Sequence, residues 1–159
     1  MATLAGIGYD SHRLAAGRRL VIGGVEIPAE RGLDGHSDAD VLTHALIDAL
    51  LGAAGLGDIG LHFPDTDERW RDADSIELLR AVREQLGDAG YRPVNIDATL
   101  ACEEPKLASF RDEMRTRLAQ ASGLDPSAVN VKFTTGERMG FVGRGEGIAA
   151  LAIATITEA

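Results

Sequence analysis

The chain has 159 residues, 45% hydrophobic and 26% charged, the profile of a soluble globular chain able to build its own core. A formal net charge of −9 argues against nucleic acid or an anionic membrane as partner. The one cysteine, Cys102, excludes an intrachain disulfide; with no signal-peptide pattern and no membrane-spanning apolar run, a cytoplasmic single domain over 1–159 is expected.

Residues 4–9 read as a short buried strand. Residues 20–27 place β-formers on both sides of Gly23-Gly24, which predicts a hairpin with a two-residue loop. Ser37-Asp38-Ala39-Asp40 resembles a capping box, so a helix is expected from Ser37 to near Gly52 or Gly55. Residues 58–74 are polar and unpatterned, as in functional lid loops. A second helix starts at 74–77, with Leu78, Leu79, Val82 and Leu86 on one face. A strand over 91–101 follows, with Val94, Ile96, Ala98 and Leu100 on one side. A third helix is expected over 106–122, and strands over 128–134 and 148–157. This order predicts an α+β fold with helices on one sheet face. The last strand is apolar on both faces, which predicts burial on both sides and hence oligomerisation.

Asp10-Ser11-His12 puts a carboxylate and an imidazole on one face if the first strand continues through them. Such a pair either holds one metal, as zinc accepts oxygen and nitrogen ligands, or forms a hydrogen bond at a strand end. His44 is either the third ligand or a semi-buried hydrogen-bonded residue; Asp40 and Asp48, four residues to each side, could orient its ring. His36 precedes the predicted cap, where helix N–H groups favour an anion. Asp58 and Asp65 either bind a polyol or form an acidic turn, and His62 is expected to be exposed. Thr134-Thr135-Gly136-Glu137 ends a predicted strand with hydroxyls and an acid suited to phosphate and magnesium. In the glycine-rich run 140–147, Arg144 offers an anion contact; the run lacks the dinucleotide-binding pattern because no helix is expected to open there. No nucleophile elbow or P-loop is present, and Cys102 reads as a small buried side chain.

Taken together, residues 8–13, 36–74, 104–107 and 134–147 resemble the 2-C-methyl-D-erythritol 2,4-cyclodiphosphate synthase family over nearly the whole chain. The resemblance implies a ferredoxin-like mixed sheet with helices on one face, in a homotrimer whose sheets face the threefold axis and whose active sites lie between subunits. It implies zinc (or manganese) on Asp10, His12 and His44, and magnesium on Glu137 and the substrate phosphates. His36 and Thr135 match transition-state stabilisers. Asp10, Ser11, His12, His36, Ser37, Asp58, Ile59, Gly60, Phe63, Pro64, Asp65, Thr66 and Asp67 match the methylerythritol-phosphate side of the substrate site. Cys102, Glu103, Glu104, Pro105, Lys106, Leu107 and Ala108, with Thr134, Thr135, Gly136 and Glu137, match its cytidine-diphosphate side. Phe141 and Arg144 match an axial cavity. The implied activity is closure of a cyclic diphosphate with release of CMP. Two positions depart from the family pattern: Gly136 stands where a third threonine is common, implying a looser phosphate-binding turn. Glu103 stands where glutamine is usual, implying altered cytosine contacts.

Overall fold

In the computed structural model, which describes residues 2–159, the chain begins with a long strand, β1 (Thr3–Ala16). The predicted six-residue strand is extended because β1 stays paired with the last strand, β7 (Gly147–Glu158), as far as Arg13↔Gly147. The expected hairpin forms from β2 (Leu20–Ile22) and β3 (Val25–Ile27), with positive φ at both Gly23 and Gly24. A three-residue strand, β4 (Arg31–Leu33), pairs with the end of β1; it is too short to leave a periodic signal.

The first helix, α1, spans Val41–Ala53 and is capped by Asp40, three residues later than the Ser37 cap expected. The backbone at Ala39 is left-handed (φ 56°), which stops the helix from starting earlier. Asp40 is fully buried, and its carboxylate accepts the N–H groups of Thr43, Gly23 and Gly24 and the Thr43 hydroxyl. It caps the helix and ties the hairpin to it at once. Burial raises its carboxyl pKa, while those hydrogen bonds act in the opposite direction.

Two short pieces occupy the predicted loop: α2 (Ile59–His62) and a 3₁₀ turn over Glu68–Trp70. Next come α3 (Ser75–Asp88), β5 (Tyr91–Ala101) and a 3₁₀ turn at Ala108–Phe110. Then follow α4 (Arg111–Ser122), β6 (Val129–Thr134) and the single turn α5 (Gly140–Gly143), a helix the glycine-rich run concealed. In β5 a register shift between Pro93 and Asn95 turns Val94 outward and Pro93 inward, against the regular alternation expected.

The sheet has the order β4-β1-β7-β5-β6, antiparallel except for β5 and β6, which run parallel and are joined through α4. Ile148, Ala150, Ala152, Ala154 and Ile156 of β7 are buried on the helix side, as are Ile96, Ala98 and Leu100 of β5. The opposite face keeps Ile7 (65% exposed), Tyr9 (57%), Leu151 (43%) and Ile153 (47%) in contiguous register. The apolar face expected of the last strand is therefore uncovered within one chain.

Eleven of the thirteen residues of α1 are buried, so it is a core helix rather than an amphipathic surface helix. Its backbone lies directly on β1: a Cβ on Gly8 would stand 1.9 Å from the Ala45 carbonyl oxygen, and one on Gly6 2.0 Å from that of Ala49. This close approach brings the middle of α1, and His44 with it, over Asp10 and His12 of β1.

Candidate metal centre and cavity

Asp10 and His12 point to the helix side of β1, as the alternation predicts, and His44 descends from α1 to meet them. Asp10 Oδ2 lies 2.8 Å from His12 Nε2 and 3.2 Å from His44 Nδ1, and the two nitrogens are 3.3 Å apart. Ligands about 2.0–2.2 Å from a tetrahedral ion stand about 3.3–3.6 Å from one another. Two edges of the triangle are close to that spacing, and the third needs only a small opening.

The outer nitrogens decide what the inner ones can do. His12 Nδ1 donates to the Asp34 carbonyl at 3.0 Å, since a carbonyl can only accept, leaving Nε2 as the inward atom. His44 Nε2 lies 2.8 Å from Ser75 Oγ and 3.2 Å from Ser37 Oγ. The Ser75 hydroxyl hydrogen is committed to Asp38 Oδ1, so Ser75 Oγ accepts from His44 Nε2–H and Nδ1 carries a lone pair. Two imidazole nitrogens and a carboxylate thus converge on one point, a donor set that could hold a divalent cation. Without a bound ion, Asp10 and His12 pair as carboxylate and imidazole. Burial raises the Asp10 carboxyl, but the hydrogen bonds and charges of His12 and His44 outweigh it and lower its pKa to about 2. Burial lowers His12, yet contact with Asp10 outweighs it and raises the imidazole.

Asp40 and Asp48 do not orient His44. Asp40 is engaged by the hairpin, and Asp48 accepts the Ile59 N–H at 2.7 Å, anchoring α2. Ser75 takes that role, backed by Asp38, which also accepts the Ser75 N–H at 2.9 Å. At the sequence level, Ser75 read only as the opening of a helix 31 residues away from His44. Ser75→Ala is expected to weaken divalent-metal affinity roughly 10–100-fold, measured by metal titration, with α3 intact because alanine suits a first helical turn.

A cavity of about 490 Å³ opens beside this triad. Of the expected residues, Asp10, His12, His36, Ser37, His44, Ile59, Gly60, Phe63, Pro64 and Asp65 line it, joined by Gly35, Trp70 and Leu78. Trp70, the one tryptophan of the chain, sits edge-on to Phe63 with centroids 5.1 Å apart. His36 Nε2 donates to the Asp67 carbonyl at 2.9 Å, which holds the 58–74 segment over the cavity. The Arg18 guanidinium donates to the carbonyls of Leu33, Gly35 and Ser37 and so fixes the loop carrying His36. Asp58 caps α2 through the Leu61 N–H, and Asp67 caps the following 3₁₀ turn and pairs with Arg69; neither carboxylate lines the cavity. Thr66 is exposed. His62, expected to be exposed, is half-buried and donates to the Leu56 carbonyl at 2.7 Å.

The remaining expected residues lie elsewhere. Cys102, Glu103, Glu104, Pro105, Lys106, Leu107 and Ala108 follow β5; Thr134 ends β6 and Thr135, Gly136 and Glu137 follow it; the Cys102 N–H donates to the Thr134 carbonyl and joins the two segments. Neither segment lines the triad's cavity. Cys102 is buried and its thiol is pushed up to about 11, first by burial, as expected of an inert side chain. Ser11 faces the opposite side of β1 in a small cleft with Phe141, and Arg144 pairs with Glu146 at 3.1 Å. Among the described residues, no helix is long and apolar enough to cross a membrane.

The fold and site define an α+β protein with a three-ligand centre that could hold a metal ion, set beside a small-molecule cavity. The chain belongs to the YgbB family, whose model matches residues 3–157. It is 60% identical over 153 residues to 2-C-methyl-D-erythritol 2,4-cyclodiphosphate synthase of Symbiobacterium thermophilum, covering 96% of this chain and 98% of that protein. Among solved structures it resembles the bifunctional IspDF of Campylobacter jejuni (TM-score 0.96, 42% identity), covering 99% of this chain and 43% of that one. It also resembles an IspF of Plasmodium falciparum in complex with CDP (TM-score 0.86, 28% identity), covering 99% of this chain and 97% of that one.

Proposed function

We propose that this chain converts 4-diphosphocytidyl-2-C-methyl-D-erythritol 2-phosphate to the 2,4-cyclodiphosphate and CMP, a cyclising phosphorus–oxygen lyase step of non-mevalonate isoprenoid synthesis. The observation that carries this reading is the Asp10–His12–His44 triad at the wall of the cavity, in a chain 60% identical to a named synthase. The 2-phosphate oxygen bonds to the β-phosphorus; the bond from that phosphorus to the bridging oxygen breaks, and CMP leaves with the electron pair.

The attacking oxygen is already anionic, so no residue has to remove a proton from it. The chain's residues need to fold the substrate onto itself and meet its charge, the dominant requirements of phosphoryl transfer. Zinc or manganese at the triad and magnesium at Glu137 would supply Lewis-acid charge and a template for the phosphates. Glu137 is an exposed carboxylate beside the Thr135 hydroxyl, in keeping with magnesium's habit of combining one or two carboxylates with substrate phosphates. His36 and Thr135 are the side chains we assign to the transferring phosphate. The cavity under α2 would take the methylerythritol, and the 102–108 and 134–137 segments the cytidine diphosphate.

That second group stands apart from the triad's cavity in one chain, which supports a site completed by a neighbouring copy. The exposed patch of Ile7, Tyr9, Leu151 and Ile153 supports the same assembly, a homotrimer of ferredoxin-like, single-domain subunits with sheets facing the axis. The lone buried Cys102 suits a cytoplasmic setting. The test is CMP release from the authentic substrate. Turnover is expected with zinc and magnesium, loss with chelator, and recovery when the metals are restored; chelator-insensitive CMP release would contradict the proposal.

A further inference from the structure

We propose that Glu103 is a positioning residue for the turn at residues 134–138, an inference that rests on the nucleotide reading of that turn given above. The Glu103 carboxylate reaches from the segment after β5 to the end of β6. Its Oε2 accepts the Gly136 N–H at 2.8 Å and its Oε1 accepts the Arg138 N–H at 3.1 Å. Between them the Glu137 N–H donates to Thr135 Oγ1 at 3.2 Å. Glu137 and Arg138 are both left-handed, with φ of 51° and 61°, a conformation that residues with a Cβ adopt in succession only when their surroundings impose it. Two charge-assisted hydrogen bonds to one carboxylate impose it here.

The other side of the turn is closed by α5. A Cβ on Gly136 would lie 2.5 Å from the Gly143 nitrogen and 2.7 Å from the Met139 carbonyl oxygen, so no threonine fits this backbone. The turn is therefore tight at Gly136, against the looser one expected. The two residues are connected: Gly136, without a side chain, lets the turn seat on α5, and the Glu103 carboxylate holds it from the opposite flank. Glutamine cannot replace that acid, because it offers one acceptor oxygen and turns an NH₂ donor toward the second N–H. The negative charge at 103 is thus committed to backbone amides, which leaves Thr135 and Glu137 in fixed orientation for a diphosphate.

The experiment is calorimetric titration of the full chain and its Glu103→Gln variant with CDP and magnesium. About tenfold weaker CDP binding is expected for the variant, with metal content at Asp10, His12 and His44 unchanged. In the unsubstituted protein, the Gly136 and Arg138 amides are expected to exchange slowly with deuterium. Equal CDP affinity in the folded variant would overturn the proposal. Tighter binding would also overturn it, by showing that the carboxylate occupies the place of a phosphate. Fast exchange of both amides in the unsubstituted protein would overturn it without any variant. Failure of the unsubstituted protein to bind CDP would overturn the nucleotide reading itself, a result distinct from equal binding by both.

Discussion

His44→Ala is expected to lower affinity for the triad's metal by at least about 100-fold and to remove CMP release with it. Changing only a residue that supports a ligand commonly costs about 10–100-fold, and loss of the ligand itself costs more. Removing His44 takes away one of three inward-facing ligand atoms and leaves Asp10 and His12 at 2.8 Å as an ordinary acid–imidazole pair. The shortened side chain also leaves Ser75 Oγ without the N–H it accepts, while the Ser75 hydroxyl stays bound to Asp38. Metal content after dialysis and CMP release, measured on one preparation, check both parts. A variant that keeps its metal and its turnover would remove His44 from the centre.

The second large effect is expected from a residue that touches no ligand. Gly8→Ala should destabilise the fold by about 3 kcal/mol or more, at the upper end of overpacking costs. The added Cβ would stand 1.9 Å from the Ala45 carbonyl oxygen, where ordinary contact begins near 3.4 Å. Neither partner is a flexible side chain; α1 itself has to move away from β1. Because Ala45 follows His44, that movement also opens the triad. Metal affinity is expected to fall along with the midpoint of urea unfolding. A variant of unchanged stability would show that α1 can shift freely on the sheet.

These two positions show how differently fold and site are written in the sequence. The Asp10-Ser11-His12 alternation announced a shared face, and strand pairing to β7 gave it the extended backbone required. The helical spacing of α3 and the Gly23-Gly24 hairpin were equally local signals, and both appear as expected. The helix starts at Asp40 rather than Ser37 because its deciding contacts come from the hairpin amides at Gly23 and Gly24. The role of Ser75 is not legible in the sequence for the same kind of reason: its bond to His44 spans 31 residues and has no local pattern. Val94 faces outward because a register shift interrupts the period-two rule at Pro93. Glu103 and Gly136 read as two unrelated departures until the folded chain joined them by one hydrogen bond. The resemblance marked most cavity residues, but it did not supply Trp70 and Leu78, which reach the cavity wall only through the packing of the 58–74 segment and α3.

The most direct test of the central claim is ³¹P NMR of the products formed from 4-diphosphocytidyl-2-C-methyl-D-erythritol 2-phosphate with zinc and magnesium. The expected result is one cyclic diphosphate with two coupled phosphorus signals and an equal amount of CMP. A linear phosphate product, as from hydrolysis by a metal-bound water, or substrate left intact after long incubation, would contradict it.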